Sequence, residues 1–366
     1  MESTFAAMPR QKEPFSQPVA IWMMTGVVLL LVQVMLGGIT RLTGSGLSIT
    51  EWKLFTGAIP PLTHLQWQEA FDRYRQTEQF RVLNSGFGLS DFKFIFFWEW
   101  FHRVWARMVG VVFIVGFVYL LWKKEIRSRM IRPLLILFLL GALQGAVGWI
   151  MVVSGFTGDA LYVAPAKLAL HFIFALVLIV YAFWFWLQLT IPVQEIVRSR
   201  TIRRWTALIV FLLLVQLLFG ALMAGNKAAA VAPTWPMING DWVPAGLSVN
   251  GHLMRSIAGN KILIHFIHRN LAYLISLLLV VWTIKAYMLL AVPAYFQHTR
   301  WLPMALVTLQ IVLGILTLLA SPGIVPNRWV GFDWFAQLHQ ITGLLLLLTM
   351  TGMLYLVRPI RHSVTV

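Results

Sequence analysis

Eight runs of about twenty mostly apolar residues, at 19–38, 95–122, 133–153, 167–190, 205–225, 262–288, 302–320 and 336–357, constrain this chain more than anything else in it. Each run is long enough to cross a bilayer as a helix, the form in which a spanning segment hydrogen-bonds all of its own backbone. The expected fold is therefore an all-α integral membrane protein with eight transmembrane helices. Composition agrees, with 59% hydrophobic and only 11% charged residues, where soluble domains carry about 25% charged. A soluble enzyme and a disordered or collagen-like chain are both excluded. The first run follows a polar arm, residues 1–18, and leads into Gly37-Gly38-Ile39-Thr40-Arg41 rather than a small-residue cleavage site. It reads as a retained helix, not a signal peptide.

The net charge is +16. Clustered basic residues suit nucleic acid, but here their distribution follows the membrane segments. Connections on the side of the N-terminus hold 15 Lys and Arg with four acids, and those on the other side hold 11 with nine acids. By the positive-inside rule the chain is expected N-in and C-in, and the charge is a topology signal without a nucleic-acid partner. Two connections on the outer side are long, 39–94 and 226–261, and loops of that size usually have a function. The first contains an amphipathic stretch, Leu65 to Phe80, which suits either an interfacial helix or a helix packed against the loop.

The chain repeats itself. Phe101-His102-Arg103 in the second run recurs as Ile267-His268-Arg269 in the sixth, and Leu143-Gln144 with Gly148 recurs as Leu309-Gln310 with Gly314, both at an offset of 166. Leu170-His171 recurs as Leu338-His339 at 168, and the first and fifth runs share Gln-x-x-x-Gly as Gln33/Gly37 and Gln216/Gly220. The expected organisation is two tandem four-helix bundles, 19–190 and 205–357, joined by a cytoplasmic linker at 191–204 and followed by a tail at 358–366. An even number of helices per unit puts both units in the same orientation, related by an axis along the membrane normal.

Four of the nine histidines, His102, His171, His268 and His339, hold the repeated positions. A lone membrane histidine is usually a packing residue, but residues of this kind inside spans mark functional sites when they recur at one depth. Two imidazoles per bundle, with no cysteine anywhere and no carboxylate cluster, suit axial ligation of one haem iron rather than a zinc site. Arg103 and Arg269 follow two of these histidines. They are candidate partners for haem propionates, with snorkelling to the headgroups as the plainer reading; Arg107 is placed to serve likewise. Glu99 stands three residues before His102, on the same helix face, whereas the second copy has His265 there. A carboxyl at that depth is either paired, with Arg103 or Lys93, or used as an acid, base or fixed charge at the porphyrin edge. His64, His252, His265, His298 and His362 read as loop or surface groups.

The segments Gly37-Gly38-Ile39-Thr40-Arg41-Leu42-Thr43, Ser45-Gly46-Leu47-Ser48, Asp91-Phe92-Lys93-Phe94-Ile95 and Glu99-Trp100-Phe101-His102-Arg103 resemble the haem A synthase family. Pro233-Thr234-Trp235-Pro236-Met237-Ile238-Asn239-Gly240 and Ile267-His268-Arg269-Asn270 are similar to its second-half signatures. The resemblance implies oxidation of a methyl group of haem o to the formyl group of haem a, in a cell inner membrane. It implies substrate haem on His102 and His171, Glu99 as the catalytic carboxylate, and a haem b cofactor on His268 and His339 that takes the electrons. It also implies dealings with haem O synthase and cytochrome c oxidase assembly factors, and a homo-oligomer is compatible with it. Some relatives carry a cysteine pair in the outer loops; this chain has none. Two other readings of the four histidines are a dihaem electron-transfer cytochrome b and a haem transporter.

Overall fold

A computed structural model describes residues 16–51, 56–247, 257–325 and 328–359. His252, His362, most of the N-terminal arm and the end of the tail lie outside these residues. Eight helices are long and apolar enough to cross a membrane: α1 (Gln17–Leu42), α2 (Leu89–Trp122), α3 (Ser128–Val153), α4 (Pro165–Thr190), α5 (Arg200–Gly225), α6 (Lys261–Tyr287), α7 (Leu302–Leu319) and α8 (Gly331–Leu356). Among the described residues there is no strand, only an isolated bridge between Ile238 and Asp241.

Several helices run past their apolar windows because polar caps extend them. Asp91 accepts from the backbone N–H of Gly88 and starts α2 six residues before the apolar run; Asp333 accepts from Val330 and does the same for α8. Ser199 and Asn260 cap α5 and α6 through their side chains. The amphipathic stretch of the first long loop forms two short helices, His64–Tyr74 and Glu78–Leu83, each capped by a threonine. Ala70, Phe71, Tyr74 and Phe80 bury their side chains against Phe92 and Phe96 of α2. Burial of that apolar face makes it a helix packed on α2. The Tyr74 hydroxyl donates to Gln79 and accepts from Asn84, and burial pushes its phenol up to about 12.

In the N-terminal half α1 packs on α2 and α4, and α3 packs on α4. The C-terminal half repeats this with α5 on α6 and α8, and α7 on α8. Indole groups stitch neighbours together: Trp22 and Trp105 donate to backbone carbonyls of Val112 and Leu29 between α1 and α2, and Trp282 donates to Thr206 between α6 and α5. The halves meet where α4 packs on α5 and α8, and where α8 packs on α1. Two glutamines that flank His339 hold the last contact. Gln337 donates to the Met35 carbonyl and Gln340 to the Val34 carbonyl, each at 3.1 Å. A side chain at Gly38 of α1 would push the Gln337 amide aside, so glycine leaves room for this contact. Arg41 ties the same helix to the end of α5 through the Ala224 carbonyl at 2.9 Å.

The difference between the halves is on the outer flanks. α6 and α7 pack against each other, whereas α2 and α3 scarcely approach. Only 6% of the α2 span and 11% of the α3 span is buried, against 56% for α8.

Candidate functional site

All four repeated histidines sit toward the helix ends that carry the two long loops, and each has the same seat. His102 rests against α1, where the Gln33 amide lies 3.2 Å from its ring and donates to its backbone carbonyl at 3.2 Å. Gln144 of α3 does this for His171, and Gln216 of α5 for His268. Gln310 of α7 lies 3.2 Å from the His339 ring. The residue one turn after each glutamine is a glycine, and the histidine ring edge lies over it. A Cβ on Gly37, Gly148, Gly220 or Gly314 would stand 3.1, 2.8, 3.4 or 2.9 Å from the imidazole carbon it faces. A side chain at Gly148 or Gly314 would displace the ring, so glycine there is a requirement of packing. The Gln-x-x-x-Gly of the first and fifth runs and the Leu-Gln with glycine of the third and seventh are therefore one device, used four times by four helical hairpins.

The imidazoles pair within each half. His268 and His339 have ring centroids 6.4 Å apart with planes crossed at 71°. A metal–imidazole bond is about 2.0–2.1 Å and a ring nitrogen lies roughly 1 Å from its centroid, so two imidazoles on opposite faces of one iron have centroids about 6–6.5 Å apart. The pair fits that spacing. The His339 Nδ1 lies 3.1 Å from the Gln310 carbonyl, an acceptor that favours the proton on Nδ1, and its Nε2 faces the Gln310 side-chain amide at 3.2 Å. His102 and His171 are near enough to interact electrostatically. No group of three or more His, Asp or Glu side chains converges among the described residues. Two imidazoles alone suit a metal that brings its own equatorial ligands, as haem does.

Glu99 is buried and fully engaged. One carboxylate oxygen pairs with Arg103 at 2.5 Å; the other accepts from the Ser48 hydroxyl at 2.7 Å and the Ile49 N–H at 2.8 Å. The Thr-Arg-Leu-Thr segment supplies this cradle. Thr40 donates to the Trp98 carbonyl and Thr43 contacts Ser45 at 2.6 Å, folding the chain after α1 back over α2. Arg103 also reaches the Ile49 carbonyl at 3.5 Å. In the second half Arg269 plays the loop-pinning part alone, donating to the carbonyls of Ala232 at 3.0 Å and Met237 at 3.1 Å. His265, in the place of Glu99, is not the loop or surface group expected from sequence: it lies within α6 and is buried, with neither ring nitrogen partnered among the described residues.

The profile of a family described as cytochrome oxidase assembly protein matches residues 20–351. A protein named Heme A synthase from Flavobacterium johnsoniae is 36% identical over 93% of this chain and 98% of its own length. Proteins of the same name from Methylorubrum populi and Bradyrhizobium diazoefficiens are 38% and 40% identical, covering 95% and 84% of this chain and 89% and 84% of their own lengths. The chain belongs to the haem A synthase family. It is thus a member of a family of membrane oxidoreductases concerned with cytochrome oxidase assembly.

In this member of the haem A synthase family, the glutamine and glycine of each seat and the Ser48–Ile49 cradle are the contacts around the candidate residues that histidine placement alone does not reveal. The recurrence of Gln-x-x-x-Gly in every odd-numbered helix was the available signal for the seats. No sequence signal ties Ser48 to Glu99, because the two are joined only by the fold of the loop.

Proposed function

We propose that the chain oxidises a methyl group of haem o to the formyl group of haem a, with the substrate porphyrin between His102 and His171 and haem b between His268 and His339. The single observation that carries this reading is the pair of equivalent histidine seats that differ at Glu99 and His265. An electron-transfer protein needs two equivalent sites; an enzyme needs one of them to be different. The open flank of the N-terminal half supports substrate exchange there, and the closed packing of α5 to α8 supports a resident cofactor in the second half. Haem b would supply a one-electron acceptor for the electrons removed from the methyl carbon.

Residues of this chain do the rest. Glu99 pairs with Arg103 and accepts from Ser48 and Ile49, so it offers a preorganised carboxylate where positive charge develops as the methyl carbon is oxidised. His102 and His171 would hold the substrate, and Glu99 would then act at the edge of the porphyrin. Arg103 and Arg269 already fix the loops over the two seats and place cationic edges there for the acidic porphyrin side chains. The surplus of basic residues on the short-loop side supports an N-in, C-in orientation in a cell inner membrane, with both haem seats toward the outer face.

Pigment extraction from the purified protein tests the reading. Haem o and haem a alongside haem b are expected from the native chain, and haem o with haem b but no haem a from Glu99→Ala. Haem b alone in the native chain identifies a cytochrome instead, and full haem a formation by Glu99→Ala removes Glu99 from the chemistry.

A further inference from the structure

Three sides of the N-terminal half are closed by helix packing and one, between α2 and α3, is not. Its twin, between α6 and α7, is closed. The two helices of the open side are joined at the short-loop end, where the rings of Phe113 and Phe138 stack with centroids 6.2 Å apart. Beyond that pair, toward the histidines, each helix continues the strip with small, exposed residues. On α2 the strip reads Phe113, Gly110, Ala106, His102, and on α3 it reads Phe138, Gly141, Gly145, at helical spacings of three and four. A Cβ on Gly110, Gly141 or Gly145 would meet no atom within 4 Å. At the 166 offset the second half has Ser276, Val307 and Ile311, and Val307 is buried in the core. The long-loop end of the open seam holds a small cleft of about 50 Å³, lined by Ile49, Glu51, Arg103, Trp149, Val153 and Phe156.

We propose that the seam between α2 and α3 is the portal through which the porphyrin substrate passes between the lipid and the His102–His171 seat. This rests on the assignment of that seat to the substrate. A porphyrin bearing a long hydrocarbon chain partitions into the bilayer rather than water, so its route must open sideways, through apolar walls, at the depth of the histidines. The seam meets each condition. It begins at lipid-facing surface on α2 and α3, ends at His102, and has Arg103 at the headgroup end, where the acidic edge of the porphyrin would travel. The filled seam of the second half then explains why one pigment exchanges and the other stays.

The chain contains no cysteine, which makes the portal directly testable. A single Gly145→Cys, labelled with a bulky maleimide in folded protein reconstituted with haem b, is expected to slow loading of haem o from lipid vesicles by about tenfold or more. Labelling after loading is expected to slow its capture by apomyoglobin to the same degree. Ile311→Cys, labelled identically, should leave haem b content and haem o loading unchanged. The double variant Gly141→Val/Gly145→Ile, which copies the second half, should retain haem b while slowing haem o exchange. Haem o loading and loss at the unmodified rate in both the labelled protein and the double variant overturns the portal. Failure of the native chain to bind haem o at all overturns the substrate assignment instead, so the two are told apart.

Discussion

The two halves of this molecule share their histidine seats and differ in what surrounds them. Both place each imidazole against a glutamine and a glycine of the preceding helix, and both use the arginine after a histidine to pin a long loop. The N-terminal half adds Glu99 in a Ser48–Ile49 cradle and leaves one flank open; the C-terminal half has an unpartnered His265 and closes that flank. The two halves keep the histidine seats and differ at the Glu99/His265 position and in the packing of one flank.

The largest effect that should separate the halves is at the divergent pair. Glu99→Gln is expected to lower haem a formation by about a hundredfold or more, the usual cost of removing a preorganised charge, while His265→Gln leaves turnover within a few-fold; haem a production in membranes measures both. Equal losses would break the contrast. Next come the seat glycines. Gly148→Val and Gly314→Val should each destabilise the protein by about 1–3 kcal/mol through overpacking and strip pigment only from their own half, as read by thermal melting and by extracted haem.

Much of this contrast was legible in the sequence, for physical reasons. A bilayer demands apolar runs of fixed length, so eight helices could be counted directly, and the histidine repeat survived because its offset is nearly constant. The seats were less legible because loops of unequal length lie between glutamine and histidine: the separation is 69 residues for Gln33 and His102, 27 for Gln144 and His171, 52 for Gln216 and His268 and 29 for Gln310 and His339. The open seam was invisible, since Gly141 and Gly145 look like ordinary membrane-helix glycines until the packing of α2 and α3 is known. The Arg103 pairing of Glu99 was one of two readings the sequence left open, and only the loop cradle settles where the second oxygen goes.

Smaller effects should sharpen the junction between halves. Gln340→Leu removes one interhelical hydrogen bond and should cost about 0.6 kcal/mol, typical for such contacts in membranes, measurable as a modest loss of thermal stability with haem b retained. Smallest is a pH effect. The Lys227 ammonium lies 3.4 Å from the Tyr162 ring centroid, and burial, aided by Arg41 and Lys261, lowers it to about 8. Between pH 8 and its ordinary 10.5 the folded chain holds fewer protons than the unfolded one, so stability should rise slightly with pH across that window. Melting temperatures of the native chain and Lys227→Met across that range should converge at the alkaline end.

The most direct measurement is the pigment composition of single seat knockouts. His171→Ala should lose haem o and haem a and keep haem b, and His339→Ala should lose haem b while still binding haem o. Loss of the same pigment from both variants would contradict a division of substrate and cofactor between the two halves.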